Sequence, residues 1–321
     1  MKMANSIRNK EVLVTGATGF VGSNLVRSLL DKGCNINIVL KKNSNMWRID
    51  DIKKEFRLLI ADLEVYEQVK KVISEVKPEI IFHLAVYGAY SYQTDIEKIV
   101  RTNIIGTINL FEACRKKGFS LFVNTGSSSE YGIKSGPMKE TSKLEPLTEY
   151  GITKSTISTF FCQIAKLENL PVVTLRPFAV YGPFEEKTRL IPHIILSCIR
   201  NNVAPQLSSP KFVRDFIYVE DVVQAYLDAC KSDKTHGQII NLGTGKQHSV
   251  DQVARKIIEI TGKKLTPKYG KANQTHKLEP KAWVADIKTA HDILRWEPKY
   301  PLELGLAKDI AWFRRNMNLY E

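Results

Sequence analysis

The sequence predicts an α/β protein in which a doubly wound parallel sheet is followed by a smaller α/β lobe. Three observations predict this fold class. Near the N-terminus, a short apolar strand runs into a glycine-rich turn and then into a helix with apolar periodicity. Short β-branched strands then alternate with helices as far as residue 178, the order of βαβ units. The 321 residues, 43% of them hydrophobic, are enough for a large domain and a smaller lobe.

Three glycines separate the first predicted strand from the first helix. In such a turn one glycine bends the chain, one lets the backbone approach a phosphate, and one packs helix on strand. The start of the helix also offers unpaired N–H groups and the positive end of a dipole. Glycines that merely relieve a crowded turn would explain less, so we predict a Rossmann-type dinucleotide site. The loop residues expected to contact the cofactor are Gly16, Thr18, Gly19, Phe20, Val21 and Gly22.

The second predicted strand, residues 35–40, ends in Lys41 and Lys42. Dinucleotide folds carry an acid at this point for the ribose 2′-OH, or a basic residue for a 2′-phosphate. Two lysines without an acid favour NADP over NAD, with Arg48 as a third candidate and a solvated loop as the alternative. Asp62, after the third strand, is expected beside the adenine or, alternatively, as a helix N-cap.

The next segment is read as a helix over residues 64–76, a strand over 80–85 and a long helix over 95–117. His83 lies in an apolar run, so we expect a tethered core histidine rather than a catalytic one. Asn103 lies inside the long helix, where an asparagine usually faces solvent, so a role in bracing the backbone would rest on resemblance rather than on spacing. The aromatic loop between the strand and the long helix is expected to line a pocket.

A tyrosine and a lysine that follow the fifth strand are predicted to carry the chemistry. Small residues at 126–129 come after that strand, at the edge where open parallel sheets bind ligands. Tyr150 and Lys154 share one face of the next helix. Because a nearby cation favours phenolate, Lys154 is expected to lower the pKa of Tyr150 from about 10 towards neutrality. Tyr150 would then serve as a general acid or base. A surface Tyr–Lys pair is the alternative.

Beyond a strand at 172–175 the regular alternation fails. This part of the chain predicts a small lobe that is knitted to the first domain. The predicted helices are 190–201, 221–231, 250–261 (capped by Ser249), 287–294 and 302–317, and the predicted strands are 214–218 and 239–242.

Charge and cysteine usage exclude several classes of protein. The net charge is +13, yet the lysines are spread along the chain, which favours solvated lysines or attraction of anionic small molecules over nucleic acid. The five cysteines lack metal-binding or redox spacing, so no metal site is expected. With no signal peptide and no apolar run of spanning length, we expect a cytoplasmic protein with no membrane partner.

Together these motifs resemble the extended short-chain dehydrogenase/reductase family and, more narrowly, its nucleotide-sugar epimerase/dehydratase group. The motifs are Gly16-Ala-Thr-Gly19-Phe-Val-Gly22, Asp62-Leu63, His83-Leu-Ala85, Ser127, Tyr150-Gly-Ile-Thr-Lys154, Arg176-Pro177 with Tyr181-Gly-Pro183, and Arg214-Asp-Phe. The resemblance implies an NAD(P)-binding Rossmann domain over residues 1–178 and a nucleotide-sugar-binding lobe over 179–321, with some exchange of chain. It also implies a homodimer formed through a four-helix bundle by residues 95–117 and 150–169.

The resemblance assigns roles to individual residues. Tyr150 would be the acid/base, Lys154 would bind the nicotinamide ribose, and Ser127 would hydrogen-bond the reacting sugar oxygen. Asp62 and Leu63 would contact the adenine. Further cofactor contacts are Leu84, Ala85, Thr125, Pro177 and Val180. The substrate contacts are Ser128, Ser129, Arg189 and Arg214, with Arg214 on the diphosphate and Arg189 a weaker candidate for it.

Three departures from the family bear on the reaction. Ser129 stands where sugar 4,6-dehydratases carry an acid, and Ala179 stands where many members carry a substrate-binding asparagine. The third departure is the basic strand end, which is typical of NADP-using relatives. We therefore expect NADPH-dependent reduction of a 4-keto sugar nucleotide, with NADP as cofactor and NAD as the alternative. A 4-epimerase with retained cofactor is the leading alternative, ahead of a 4,6-dehydratase and a non-catalytic NADP sensor.

Overall fold

The chain is described by a computed structural model over residues 7–270 and 282–320. The predicted domain ends at residues 1–6 and 321, and the segment 271–281 of the predicted lobe, lie outside these ranges. The strands are β1 (Glu11–Thr15), β2 (Asn35–Leu40), β3 (Arg57–Ile60), β4 (Ile80–His83), β5 (Leu121–Thr125), β6 (Val172–Pro177), β7 (Ala179–Tyr181), β8 (Gln206–Leu207), β9 (Val213–Arg214), β10 (Phe216–Tyr218), β11 (Gln238–Leu242), β12 (His248–Ser249) and β13 (Lys268–Tyr269).

The helices cover most of the remaining chain. The α-helices are α1 (Phe20–Asp31), α2 (Tyr66–Val76), α3 (Ile96–Val100), α4 (Gly106–Lys117), α5 (Glu149–Glu168), α6 (Leu190–Ile199), α7 (Val219–Ala229), α8 (Val250–Thr261) and α9 (Leu302–Arg315). A π-helical turn, Arg101–Ile105, joins α3 to α4, so that residues 96–117 form one continuous helical segment. This agrees with the predicted long helix and its start after Asp95.

Seven parallel strands form the central sheet, in the order β11-β6-β5-β4-β1-β2-β3. The strand order reverses between β1 and β4, since β1 pairs in parallel with β2 on one side and with β4 on the other. Ligands of open α/β sheets bind in the crevice outside the carboxyl ends of the strands at such a reversal. The predicted Rossmann-type, doubly wound α/β fold is confirmed.

Apolar layers cover both faces of the sheet. Along β1, Val12 and Val14 point into the layer that contains α1 and α7, whereas Leu13 points into the layer that contains α2, α4 and α5. Because both faces are buried, the strand reads as a continuous apolar run rather than an alternating one. This double burial fixes the strand ends, and with them the loops that carry the site.

The C-terminal residues form a second apolar cluster and also extend the sheet. Helices α6, α8 and α9 pack around the strand pair β7–β10. Strand β11 returns to the sheet and pairs with β6, while α7 packs against α1. The domain boundary at residue 178 and the expected exchange of chain between the two domains stay predictions.

Several element bounds differ from those predicted. Helix α2 begins at Tyr66 with Val65 as its N-cap, so the alternative of Asp62 as the cap is wrong. The predicted strand at 214–218 is two short strands, because β9 pairs with β12 and β10 pairs with β7. Helices α6, α7 and α9 end at or before the predicted residues, and the predicted helix 287–294 is π-helical over Ala290–Leu294. Ser249 caps α8 as predicted.

Candidate active site

The glycine-rich loop between β1 and α1 brings backbone against backbone. A Cβ on Gly22 would lie 2.2 Å from the carbonyl oxygen of Gly16, and one on Gly16 would lie 2.5 Å from the amide nitrogen of Ala85. Gly16 also has a φ of 71°, which favours glycine. Helix α1 has no acidic residue in its first turn and no side-chain cap at Gly19. Its N-terminal N–H groups therefore remain available to an anion.

His83 is a core histidine, as expected. Its ring nitrogens lie 2.7 Å from the hydroxyl of Thr15 and 2.7 Å from the hydroxyl of Thr107, and its exposed fraction is 2%. Burial is the main reason why its pKa falls to about 3, so the ring stays neutral. His83 thus ties β1, β4 and α4 together behind the glycine loop.

Asn103 is buried, which corrects the expectation that it faces solvent. Its side-chain oxygen accepts the N–H of Tyr87 at 2.9 Å, and its amide donates to the carbonyl of Tyr87 and the hydroxyl of Thr153. The residue lies in the π-helical turn, where the extra residue per turn breaks the simple periodicity on which the expectation depended. Asn103 braces the loop after β4 against α5.

The three predicted catalytic residues come together beyond the end of β5. A side-chain hydrogen bond joins Tyr150 to Ser127. The ammonium of Lys154 donates to the carbonyl of Thr125 at 2.7 Å and lies 6.0 Å from the centroid of the Tyr150 ring. A Cβ on Gly151 would lie 2.7 Å from the carbonyl oxygen of Ser129, so α5 begins in direct contact with the serine loop. This close approach is what places the phenol beside Ser127.

The pKa of Tyr150 differs from the expectation. Among the groups of the protein itself, burial raises the pKa of Tyr150, and the hydrogen bond with Ser127 opposes that rise only in part. Burial also lowers the pKa of Lys154 to about 8. The expected lowering of the tyrosine pKa by Lys154 is therefore wrong for the protein alone, because desolvation outweighs the hydrogen bond with Ser127 and the charge of Arg189.

Two predicted substrate residues are joined by a tryptophan that sequence reasoning missed. The indole N–H of Trp283 donates to the hydroxyl of Ser128 at 3.2 Å. The guanidinium carbon of Arg214 lies 4.6 Å from the ring centroid of the same tryptophan. No spacing in the sequence signals this contact, because the three residues come from distant segments.

Asp215 explains why Arg214 lies where it does. Its buried carboxylate accepts the N–H groups of Thr244, Gly245 and Ala285, at 2.8, 3.0 and 3.1 Å. These bonds fix the short β9–β10 segment between the turn after β11 and residues 282–287. Arg214, the preceding residue, is thereby held at the wall of the site.

Arg189 is exposed, and its positive charge opposes part of the rise in the pKa of Tyr150. Its guanidinium carbon is 5.3 Å from the ring centroid of Tyr90, which stacks on Tyr92 with the ring centroids 5.4 Å apart. The aromatic loop after β4 therefore meets the N-terminus of α6. The expected pocket-lining role of this loop stays a prediction.

The basic strand end is ion-paired. The ammonium of Lys41 lies 2.7 Å from a carboxylate oxygen of Asp62 and 3.7 Å from one of Glu64. The hydrogen bond with Asp62 is the main reason why the pKa of Lys41 is raised. Lys42 is exposed. Leu63, next to the paired Asp62, accepts the amide of Asn109 through its carbonyl at 2.9 Å.

The remaining predicted cofactor residues all lie at the carboxyl edge of the sheet. Leu84 and Ala85 follow β4 directly, Thr125 ends β5, Pro177 ends β6 and Val180 lies in β7. The edge therefore gathers the glycine loop, the catalytic trio and the predicted cofactor contacts at the point where the strand order reverses.

The sequence model of the NAD dependent epimerase/dehydratase family matches residues 12–243, from β1 to the turn after β11. The chain belongs to this family. The predicted resemblance to the extended short-chain dehydrogenases/reductases is confirmed, and so is the prediction that the protein is an enzyme.

Relatives and solved structures extend the match over almost the whole chain. An uncharacterized UDP-glucose epimerase of Bacillus subtilis is 31% identical over 94% of this chain and 97% of its own length. The UDP-glucose 4-epimerase of Thermotoga maritima, solved with UDP-glucose, has a TM-score of 0.87 at 27% identity, covering 95% of this chain and 99% of that chain. The UDP-glucuronic acid 4-epimerase of Bacillus cereus, in complex with UDP-glucuronic acid and NAD, has a TM-score of 0.81 at 27% identity, with the same coverage.

The cofactor that the family's description implies fits this member's own residues. At Gly16 and Gly22 the backbone segments lie so close together that any side chain would fill the space in the loop. This space opens at the start of α1, where no side chain caps the helix. A diphosphate suits both features, since it needs close backbone approach and unpaired N–H groups. A dinucleotide therefore agrees with the loop that this epimerase/dehydratase family member presents.

Glu130, the only acid in the serine loop of this family member, faces the core. It is fully buried, accepts the N–H of Ser127 at 2.8 Å and the hydroxyl of Ser158 at 2.9 Å, and pairs with Arg176 at 2.7 Å. Sequence reasoning gave Glu130 no role. The Ser-x-x-Glu spacing of a capping box, which Ser127 and Glu130 form, is the signal that would have found it.

Neither metal ligation nor membrane insertion is indicated in the part of the chain that the structure describes. No cluster of three or more His, Cys, Asp or Glu side chains within residues 7–270 and 282–320 could hold a metal ion. In the same ranges, no helix combines the length and the apolar character needed to cross a bilayer.

Proposed function

We propose that this protein is a nucleotide-sugar 4-epimerase that retains NAD. The observation that carries the proposal is the meeting of Ser127, Tyr150 and Lys154 beside the glycine loop, in a chain that aligns almost end to end with 4-epimerases. The relatives named above indicate the class of substrate, since one is a UDP-glucose epimerase and another is a UDP-glucuronic acid 4-epimerase.

In the proposed reaction, Tyr150 exchanges a proton with the C4 hydroxyl oxygen of the sugar. The Ser127 hydroxyl holds that same oxygen and stabilises negative charge that develops on it. Bound NAD supplies the hydride acceptor at C4 and a positive charge. Because burial keeps the Tyr150 phenol neutral, the Lys154 ammonium stabilises the phenolate only while it holds its own proton.

The ion pair at Lys41 favours epimerisation with NAD over the reduction that the sequence first predicts. Reduction was inferred from two free lysines at the end of β2, but Lys41 is engaged by Asp62 and Glu64. Both lysines are exposed, but among the described residues only Lys41 of the predicted pair is held in an ion pair. NADP therefore loses the main argument in its favour, and a 4-keto reductase becomes the second candidate.

Elimination of water, as in a 4,6-dehydratase, is disfavoured by the serine loop. Ser129 has no carboxylate, and the neighbouring Glu130 is fully buried against Arg176. An acid that faces the core cannot protonate a leaving group in the site. The loop therefore offers only hydroxyls to the sugar.

The sugar nucleotide is proposed to bind between the serine loop and the C-terminal lobe. Trp283 holds the hydroxyl of Ser128 on its edge and the guanidinium of Arg214 on its face. Arg214 would contact the diphosphate, for which a planar guanidinium is well suited. Ser128 and Ser129 would contact the sugar.

We also propose a homodimer formed by the helical segment 96–117 and α5. Exposed isoleucines lie on α3, on the π-helical turn and on α5, at Ile96, Ile105 and Ile152. Exposed apolar side chains grouped on packed helices are typical of an interaction surface. Two copies of this helix pair would form the four-helix bundle that the family resemblance implies.

The proposed function is tested by incubating the purified protein with UDP-glucose or UDP-glucuronic acid and no added cofactor. We expect conversion between C4 epimers, with no net change in nicotinamide absorbance. Tyr150→Phe should lower the rate by about a hundredfold or more, while Tyr269→Phe, whose hydroxyl bonds Asp251 on α8, should not change it. Turnover only when NADPH is added, with its stoichiometric consumption, would refute the proposal.

A further inference from the structure

We propose that Arg48 binds the diphosphate of the dinucleotide, facing the glycine-rich loop at the start of α1. The proposal rests on the dinucleotide binding described above. It concerns a residue that belongs neither to the glycine loop nor to the strand ends that carry the other predicted cofactor contacts. Arg48 lies in the segment between β2 and β3, outside both. Its exposed fraction is 8%, which is low for an arginine whose ion pair, with Glu186 at 3.6 Å, is not a hydrogen bond.

The guanidinium of Arg48 is fixed next to the loop. Its Nη1 donates to the carbonyl of Thr18 at 3.3 Å, and its Nε donates to the carbonyl of Phe184 at 2.7 Å. The ring of Trp47 lies beneath it, with 4.3 Å between the guanidinium carbon and the ring centroid. A planar group held on two edges and one face presents its remaining edge in a fixed direction.

That remaining edge is Nη2, which is buried and has no hydrogen-bond partner. The nearest carboxylate oxygen belongs to Glu186 at 3.6 Å, beyond hydrogen-bonding distance. A buried guanidinium with an unpaired N–H costs free energy unless an acceptor completes it. A diphosphate at the loop would provide the hydrogen-bond acceptor that Nη2 lacks.

Position decides between the diphosphate and a 2′-phosphate. The ends of β2 and β3, where a 2′-phosphate is recognised, carry Lys41, Lys42 and Asp62. Arg48 instead contacts Thr18, which lies inside the turn whose backbone approaches the diphosphate. Both NAD and NADP contain that diphosphate, so Arg48 should contribute equally to the two cofactors.

A neighbouring arginine provides a matched control. Arg27 on α1 donates to the carbonyl of Arg48 at 2.8 Å, forms a bidentate pair with Asp51, and lies 4.6 Å from the ring of Phe184. It shares the packing of Arg48, but its hydrogen bonds go to Arg48 and Asp51 rather than to the glycine loop. Replacing Arg27 therefore perturbs the same packing and leaves the loop's cation in place.

The test is titration of the full-length protein, freed of bound nucleotide, with NAD and with NADP, followed by tryptophan fluorescence. Native mass spectrometry of freshly purified protein gives the retained cofactor independently. For Arg48→Gln we expect affinity for both dinucleotides to fall by the same factor, on the order of tenfold to a hundredfold. Arg27→Gln should bind both as the wild type does, and Arg48→Lys should recover part of the loss.

Three results would overturn the proposal. They are a loss confined to NADP, an equal loss in Arg27→Gln, and unchanged affinity in an Arg48→Gln variant that melts as the wild type does. If Arg48→Gln has a lower melting temperature than the wild type, the Arg48→Lys variant decides. An Arg48→Lys variant that melts as the wild type does, but binds both dinucleotides no more tightly than Arg48→Gln, also counts against the proposal. Failure of the wild type to bind either dinucleotide would instead refute the proposed function.

Discussion

Lys154 has an exposed fraction of 7% and donates its one described hydrogen bond to the carbonyl of Thr125. Burial outweighs the attraction of Glu130 and lowers the pKa of its ammonium from 10.5 to about 8. The spacing of Tyr150 and Lys154 could be predicted from sequence, because four residues span one helical turn. Their ionisation could not, because it depends on how closely α5 packs against the end of β5.

This pKa predicts a falling rate at alkaline pH. Above pH 8 the ammonium of Lys154 loses its proton, because its pKa is lowered to about 8. The phenolate of Tyr150 then loses its stabilising charge. We expect kcat/KM to decline as the pH rises through about 8. The measurement is a pH profile of kcat/KM for the wild type between about pH 6 and pH 10.

The free energy of unfolding should change with pH in the opposite direction to the rate. Between about pH 8 and pH 10.5 the unfolded chain holds a proton that folded Lys154 has lost, so Lys154 opposes folding less as the pH rises. In urea unfolding over the same pH range, the Lys154→Met variant, which has no charge at this position, should lack this contribution to the free energy of unfolding.

A kcat/KM that stays level through pH 8 would contradict the assignment of a pKa of about 8 to Lys154.

At the scale of elements, the strand bounds were predictable and the irregular helix was not. Strand β2 begins and ends at the predicted residues, because its buried apolar run ends sharply at the polar Lys41 and Lys42. Asn103 was assigned to solvent because helical periodicity takes no account of a π-helical turn. The link from Ser128 through Trp283 to Arg214 has no local signature, since only the closed fold brings those segments together.

The π-helical turn leads to a stability prediction. Asn103→Ala removes three buried hydrogen bonds and leaves the N–H and carbonyl of Tyr87 without those partners. We expect the free energy of unfolding to fall by roughly 2–4 kcal/mol, measured by urea denaturation. Asn109→Ala, which removes one bond to the carbonyl of Leu63, should cost about 1 kcal/mol and serves as the control. Equal losses in the two variants would show that Asn103 does not brace the loop.

At the scale of the whole molecule, the proposed dimer predicts a change in mass. A carboxylate at two of the exposed isoleucines of the helix pair, Ile105→Glu with Ile152→Glu, should break the four-helix bundle through desolvation and like-charge repulsion. Size-exclusion chromatography with light scattering should give a dimer for the wild type and a monomer for the double variant. Leu304→Glu, an exposed leucine on α9, should remain a dimer. A monomeric wild type would refute the interface.

The fold and the catalytic trio followed from motifs that run along most of the chain, whereas the choice of reaction did not. It depended on Lys41, and the sequence places no acid beside that residue. The partner is Asp62, which follows the neighbouring strand β3 and meets Lys41 only once β2 and β3 pair. In the proposed function, the preference for NAD thus depends on a contact between segments that are separate in the sequence.

The central claim is that hydride leaves C4 of a sugar nucleotide and returns to the same carbon. The most direct measurement uses UDP-glucose and UDP-glucuronic acid deuterated at C4, incubated with the purified protein and followed by NMR and mass spectrometry. A 4-epimerase predicts that the C4 epimer forms without added cofactor and retains the deuterium at C4. A product that forms only with added NADPH, and that takes its C4 hydrogen from NADPH, would contradict the account.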